Sequence, residues 1–373
     1  MKYSLDNICT FGKDKINISF LTLENYISTE NMLPNKAGVT VASTLPTVTQ
    51  TMRYAKGDVL VSNIRPYFKK IWFADKDGGC SNDVLVFKSK ENIDKRYLYY
   101  VLANDEFFDY SMATSKGTKM PRGDKTSIMA YEIEEFDIET QQKIGSLLSS
   151  IDEKIALNEQ INKNLLQQAG AVFNKFYDES SNQQPFTALI DVLGGGTPKT
   201  GNPDFWDGPI PFFTPKDVGT PYTFQTEKYI TESGLTHCNS RLYQKDTTFV
   251  TARGTVGKVS LAGTPMAMNQ SCYALASETI DPLLVYFYVL KAVASLKHKA
   301  SGAVFDAIVT RDFDGETINV LSDDDAKSVL AIIKPMMEAI HNNSEENIHL
   351  AALRDSLLPR LMSGELDVTS LEI

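Results

Sequence analysis

The sequence predicts an α+β protein. Two strand-rich α/β globules are separated by two long antiparallel coiled-coil helices, and one half repeats the other about a pseudo-two-fold axis. Three observations carry this reading: a helical seam written twice, strand segments that recur at nearly the same offset, and acid concentrated in the helical quarters of the chain. An internal repeat decides the architecture before any single element does.

The seam is the clearest signal. Ile144, Leu148, Ile151, Ile155, Asn158, Asn162, Leu165, Ala169, Val172 and Phe176 follow alternating steps of four and three. Such spacing is the stripe of a long helix that packs on another helix. Adding 185 gives Val329, Ile333, Met336, Ile340, Asn343, Asn347, Leu350, Arg354, Leu357 and Leu361, with both asparagines in place. Only Arg354 interrupts the apolar pattern.

The elements follow in order. A first globule is expected over residues 1–137, a central helix over 138–180, a second globule over 181–319 and a C-terminal helix over 320–373. In the globules Gly57-Asp58-Val59-Leu60-Val61-Ser62-Asn63-Ile64-Arg65 lines up, 188 residues on, with Lys245-Asp246-Thr247-Thr248-Phe249-Val250-Thr251-Ala252-Arg253. The same shift places residues 82–87 on 270–275 and Tyr100-Val101-Leu102 on Tyr288-Val289-Leu290. Short β-branched runs bounded by Gly, Asp and Pro read as strands. Helices are expected around residues 97–102 and 283–290.

Geometry follows from the helices. One running over residues 140–176 is ~55 Å long at 1.5 Å per residue, more than one ~34 Å turn of B-DNA. Antiparallel pairing brings Asn158 to Asn347 and Asn162 to Asn343, and a buried polar layer fixes register because any slip leaves amides among apolar groups. The alternative is that some of these amides point to solvent. Pro335 removes one helical hydrogen bond, so a break is expected near Lys334, with Ser322 capping the preceding turn and Asp323, Asp324 and Asp325 at its positive end.

Composition bounds the function. The 373 residues are enough for two domains, and no apolar run approaches the ~20 residues that span a bilayer. No secretory signal opens the chain, so no membrane association and a cytoplasmic location are expected. The cysteines Cys9, Cys80, Cys238 and Cys272 lack a paired spacing and read as reduced thiols. The net charge of −10 argues against nucleic acid only if spread evenly. It is not: residues 1–126 carry +4, 127–181 carry −6, 182–318 carry −2 and 319–373 carry −6.

Enzymatic motifs are incomplete in this chain. Gly194 to Thr200 lacks the second glycine before the lysine that a phosphate-cradling loop needs, and Gly254-Thr255-Val256-Gly257-Lys258 fails the spacing too. Asn202-Pro203-Asp204-Phe205 lacks the second proline of an amino-methyltransferase loop. The four histidines, His237, His298, His341 and His349, are too dispersed for a metal site, and His341 and His349 fall on an expected exposed helix face. No catalytic or metal residue is assigned.

A family resemblance emerges from several segments. Gly194-Gly195-Gly196-Thr197-Pro198-Lys199-Thr200, Asn202-Pro203-Asp204-Phe205-Trp206 and Ile210-Pro211-Phe212 resemble the opening of a target recognition domain in the specificity (S) subunits of type I restriction-modification enzymes. So do residues 57–65 with Pro66-Tyr67-Phe68-Lys69-Lys70, residues 252–258, and Asn269-Gln270-Ser271. Residues 353–366 resemble the C-terminal conserved helix of that family. The first globule departs from the family pattern in residues 1–52, which lack the Gly-Gly-Thr-Pro opening of the second.

The resemblance implies a non-catalytic DNA-specificity subunit. Each target recognition domain would read half of a bipartite, asymmetric double-stranded DNA target through the major groove. The paired helices would set the spacer and dock two methyltransferase (M) subunits, with motor-nuclease (R) subunits joining afterwards. This chain would carry no cofactor, and S-adenosylmethionine and ATP would sit on the partner subunits.

DNA contacts are argued from residue type: Arg and Lys suit guanine edges and phosphates, while Ser and Thr serve either role. In the first globule the candidates are Arg65, Tyr67, Lys69 and Lys70, with the loop Lys116, Thr118, Lys119 and Arg122. In the second they are Lys199, Thr200, Lys216, Arg253 and Lys258, with a loop carrying Lys297, Lys299 and Ser301. Tyr67 and Trp206 also suit a core role, and Asn269 and Gln270 suit satisfaction of backbone groups. The competing readings are a coiled-coil scaffold without sequence-specific DNA binding and a stand-alone enzyme.

Overall fold

The computed structural model describes residues 2–299 and 307–368. It is a mixed α/β chain that divides into two compact units, residues 1–155 with 349–373 and residues 156–348. Two long helices, Ile138–Glu179 and Asp323–Met362, contribute to both units.

In the first unit the strand Lys2–Ser4 pairs with Glu132–Glu134, tying the start of the globule to its end. Between them lies a four-stranded antiparallel sheet ordered Cys9–Phe11, Val84–Ser89, Val59–Ser62 and Ile71–Phe73. The central strand Val59–Ser62 is buried along its whole length, as expected of a short continuous apolar run. Helix Lys95–Ala103 covers one face with Tyr97, Leu98 and Val101 and is capped by Asp94, whose carboxylate accepts from the Tyr97 amide. A second sheet is ordered Lys15–Asn17, Gln50–Tyr54, Gly78–Cys80 and Tyr26–Ile27. Ile144 and Leu148 of the central helix share this core with Leu358, Leu361 and Val368 from the C-terminal helix and tail.

The second unit repeats the plan. Gln183–Pro185 pairs with Thr317–Asn319, and the main sheet is ordered Asp191–Gly194, Cys272–Ala276, Thr248–Thr251, Val259–Ala262 and Tyr222–Thr223. Its first four strands match the first sheet in order and direction, so the opening of the first globule has its counterpart in the second despite the missing Gly-Gly-Thr-Pro sequence. Helix Pro282–Lys299 stands where Lys95–Ala103 stands, and its Phe287 stacks on Phe173 of the central helix.

The long helices pack antiparallel. The Asn158 amide donates to Asn347 Oδ1 at 2.8 Å and to Glu346 at 2.7 Å. One turn on, the Asn343 amide donates to Asn162 Oδ1 at 2.9 Å. Asn158 and Asn162 are both buried. Apolar layers flank them within the second unit, where Ala169 and Phe173 share a core with Val329, Ile333, Met337 and Ile340.

Three expectations are corrected. The C-terminal helix runs unbroken through Pro335, because the missing amide costs only one hydrogen bond while Ile333, Met337 and Ile340 on either side are buried in the core. Ser322 caps the helix start by accepting from the Asp325 amide, so no break falls at Lys334. Met337 is the fully buried methionine, and Met336 packs at the margin. His341 is buried rather than exposed. Its Nε2 lies 2.8 Å from the Gly263 carbonyl, and its ring packs on Tyr222 and Phe224.

Candidate nucleic-acid interface

Two turns of the first unit bring most of its candidate residues together. After strand Val59–Ser62 the chain enters the 3-10 turn Pro66–Phe68, flanked by Arg65 at φ 51° and Lys69 at φ 49°, both left-handed. Non-glycine residues seldom adopt that region, and such residues cluster at functional sites. The Arg65 amide donates to the Pro121 carbonyl at 2.8 Å, and Arg65 Nε is buried without a hydrogen-bond partner. Tyr67 is 49% exposed and Phe68 37%, so Tyr67 is not the core residue that its size suggested.

The second turn is clasped by mutual backbone bonds between Lys116 and Arg122, with Gly117 left-handed between them. Ile64 bridges to Arg122, joining the two turns. Thr118 and Lys119 stand exposed at the tip. The Lys116 ammonium pairs with Asp124 and holds that carboxyl down at about 2, and Arg122 pairs with Asp83 at 3.1 Å. Lys70 donates to the Thr29 carbonyl at 2.7 Å, and burial lowers its pKa.

In the second unit the matched turn carries Arg253 and Lys258 around Gly254 and Gly257, which supply the left-handed backbone. Thr251 Oγ1 accepts from the Lys258 amide at 3.0 Å, and the Thr255 hydroxyl donates to the Pro215 carbonyl at 3.2 Å, which brings the neighbouring Lys216 to the same region. Lys216 itself pairs with Glu227 at 3.1 Å.

Lys297 and Lys299 are corrected from loop to helix, since both end helix Pro282–Lys299. Lys297 reaches the Gly257 carbonyl at 2.6 Å, and Lys299 pairs with the buried Glu316. Ser301 lies outside the described residues. Lys199 and Thr200 are exposed in a separate turn before Pro203–Phe205. In the glycine run before them two positions serve close packing, because a Cβ would sit 2.3 Å from the Asn269 carbonyl at Gly195 and 2.6 Å from the Asn239 amide nitrogen at Gly196. Trp206 is half-buried against Phe212 and Ile230, and Asn269 accepts from the Ser271 amide.

Three residues of the first unit belong beside the candidates although composition did not single them out: Asn35, Lys36 and Asp105. The only trace of them in the sequence is the turn composition Pro34-Asn35-Lys36-Ala37-Gly38. Among the described residues no group of His, Cys, Asp and Glu could hold a metal ion, and no helix is long and apolar enough to cross a membrane. Burial pushes the thiols of Cys9, Cys80 and Cys272 up to about 12.

The family model described as "Type I restriction modification DNA specificity domain" matches this chain twice, over residues 3–167 and 187–350. The chain belongs to that family. Specificity subunits are the non-catalytic, target-recognising subunits of type I restriction-modification enzymes, and the two matches fall on the two halves of the repeat.

Among relatives, the HindI specificity subunit of Haemophilus influenzae is 24% identical over 404 aligned positions, covering 83% of this chain and 87% of its own length. The MjaIX specificity subunit of Methanocaldococcus jannaschii is 26% identical over 163 residues, 42% of this chain and 38% of its own length. The crystal structure of a type I S subunit from M. genitalium superposes with a TM-score of 0.63 at 15% identity, covering 97% of this chain and 96% of that one, and so shares the fold.

Proposed function

We propose that this specificity subunit directs a type I restriction-modification complex to a bipartite, asymmetric DNA target. Residues 1–137 form the first target recognition domain and residues 181–319 the second, each reading one half-site. Residues 138–180 and 320–373 set the spacer and dock two methyltransferase subunits, with motor-nuclease subunits completing the complex. S-adenosylmethionine and ATP belong to those partners, and the chain acts in the cytoplasm.

The observation that carries this reading is the recurrence of one basic turn in two settings. Arg65 and Lys70 of the first unit occupy the same places as Arg253 and Lys258 of the second, each after the central strand of a matched sheet. The residues between them differ, Pro66-Tyr67-Phe68-Lys69 in one and Gly254-Thr255-Val256-Gly257 in the other. Shared cations suit a common phosphate backbone, and unlike tips suit unlike bases. The uneven charge supports the same division of labour. The globules together are weakly basic and face DNA, while the acidic helical segments face protein.

Selection from a pool of random duplexes by the chain assembled with its methyltransferase partner tests the proposal. Enrichment of two short unlike motifs at a fixed separation is the expected result. Recovery of unselected sequence would favour a scaffold without DNA specificity.

A further inference from the structure

A knot of two interleaved turns distinguishes the first globule from the second. Asn35 and Lys36 are left-handed at φ 56° and 62°, as are Arg65 and Lys69. The Asn35 amide donates to the Phe68 carbonyl at 2.8 Å and the Lys36 amide to the Lys69 carbonyl at 2.9 Å, so each turn holds the other in its uncommon conformation. The Lys36 and Lys69 ammoniums then converge on one carboxylate, Asp105, at 2.7 and 2.9 Å.

The position matched to Lys69 is Gly257, which takes the left-handed conformation at φ 73° without steric cost. A lysine at Lys69 accepts a conformation for which glycine is the default, and its visible task is the shared contact with Asp105. The knot is therefore locked before any ligand arrives. What it holds outward is Asn35, which is exposed, and the Tyr67 and Phe68 rings, 4.6 Å apart.

We infer that this knot is the base-reading tip of the first globule and that it reads an A·T pair, with the Asn35 amide on the adenine edge and the Phe68 ring against the thymine methyl. An asparagine amide matches the N6 and N7 pattern of adenine in the major groove, and an aromatic ring makes the apolar contact with the thymine methyl. The cations of the knot and its turn, Arg65, Lys70, Lys36 and Lys69, outnumber the one carboxylate paired within it, Asp105, and favour a polyanion. Asp105 acts as a positioning residue: it touches no base and keeps two lysines folded into the knot. The inference rests on the recognition reading above and assigns it a residue-level site.

The test is random-duplex selection by the assembled complex carrying Asn35→Ala, Phe68→Ala or Lys69→Gly. Asn35→Ala and Phe68→Ala are expected to cut discrimination at one A·T position roughly tenfold, the scale of one good base contact, while the other half-site keeps its full preference. Lys69→Gly suits the backbone and removes the lock, so it is expected to weaken selection across that whole half-site alone. An unsubstituted complex that selects a bipartite target, with variants that select the same target unchanged, would overturn the inference. Equal loss at both half-sites would overturn it too. An unsubstituted complex that selects no sequence would instead overturn the recognition reading, and this inference with it.

Discussion

Arg354 places its guanidinium 2.6 Å from the Asp152 carboxylate, at the seam position where the central helix has Ala169. The one polar break in the repeated apolar stripe is thus a cross-helix ion pair. Asp152 also accepts from the Tyr100 hydroxyl at 2.6 Å, tying helix Lys95–Ala103 into the same contact. Burial opposes the charge on Arg354, but the hydrogen bonds it donates to Asp152 and Asp355 outweigh it and raise its pKa.

Removing one member of this pair leaves a partly buried charge behind. Arg354→Ala is expected to destabilise the full chain by about 2–3 kcal/mol, below the 3–5 of a fully buried pair because both side chains keep some solvent. Joint replacement of Asp152 and Arg354 by Leu and Met is expected to cost less than Arg354→Ala alone. Urea denaturation of the three chains measures the difference, and a larger loss in the double variant would contradict it.

The asparagine layer makes a similar prediction with a different readout. Asn162→Leu removes the acceptor of the Asn343 amide and the donor to Ser344 Oγ at 3.2 Å. Leaving these half-buried polar groups short of partners costs about 1 kcal/mol, the low end of the ~1–3 kcal/mol of fully buried ones. Replacing Asn162 and Asn343 together by leucine is expected to recover much of that stability and to loosen register. Cysteine cross-linking between the helices reads this as additional cross-linked positions.

At the loop tip, replacing Lys116 and Lys119 together by alanine is expected to weaken DNA binding about uniformly across sequences. The slope of log affinity against log salt is expected to flatten by up to ~2 if both touch phosphate. Lys116 is already paired with Asp124, so its transfer to phosphate frees that carboxylate. A flattening confined to Lys119→Ala would place Lys116 with the protein rather than the DNA.

The pH dependence has a definite sign. Lys116 hydrogen-bonds Asp124 and holds its folded pKa down at about 2, below the ~3.9 of a free aspartate. Its contribution is therefore fully present above ~4 and is lost as pH falls through the folded value. Asp105 behaves in the same direction, since hydrogen bonds from Lys36 and Lys69 outweigh its partial desolvation. Urea midpoints of the unsubstituted chain and of Asp124→Asn are expected to differ by a constant amount from pH 7 to ~5 and to converge as pH falls toward 2. A gap that widens on acidification would contradict the assignment.

Much of this architecture is legible in the sequence because the two halves are redundant. A seam written twice identifies its own register, and matched strands such as Val59–Ser62 and Thr248–Thr251 confirm each other. Where the structure departs from local pattern, tertiary packing that the pattern does not carry is the cause. Pro335 stays helical because Ile333 and Met337, two residues to either side, are held in the core, His341 turns inward onto Tyr222 and Phe224, and Lys297 extends a helix instead of a loop. The Lys36–Asp105–Lys69 contact joins three distant stretches of chain, and the first repeat alone has it. Redundancy could not reveal it, and only the turn sequence around Asn35 hinted at unusual backbone.

Under the proposed function each globule reads its own half-site while the paired helices set the distance between them. Mapping the target selected after deletion of residues 154–157 together with 348–351 tests it most directly. One helical turn removed from each long helix shortens the pair by ~6 Å at 1.5 Å per residue. Both half-site sequences are expected to persist with the spacer reduced by about two base pairs, at 3.4 Å per base pair along each strand. Unchanged spacing with both half-sites still read would contradict the claim.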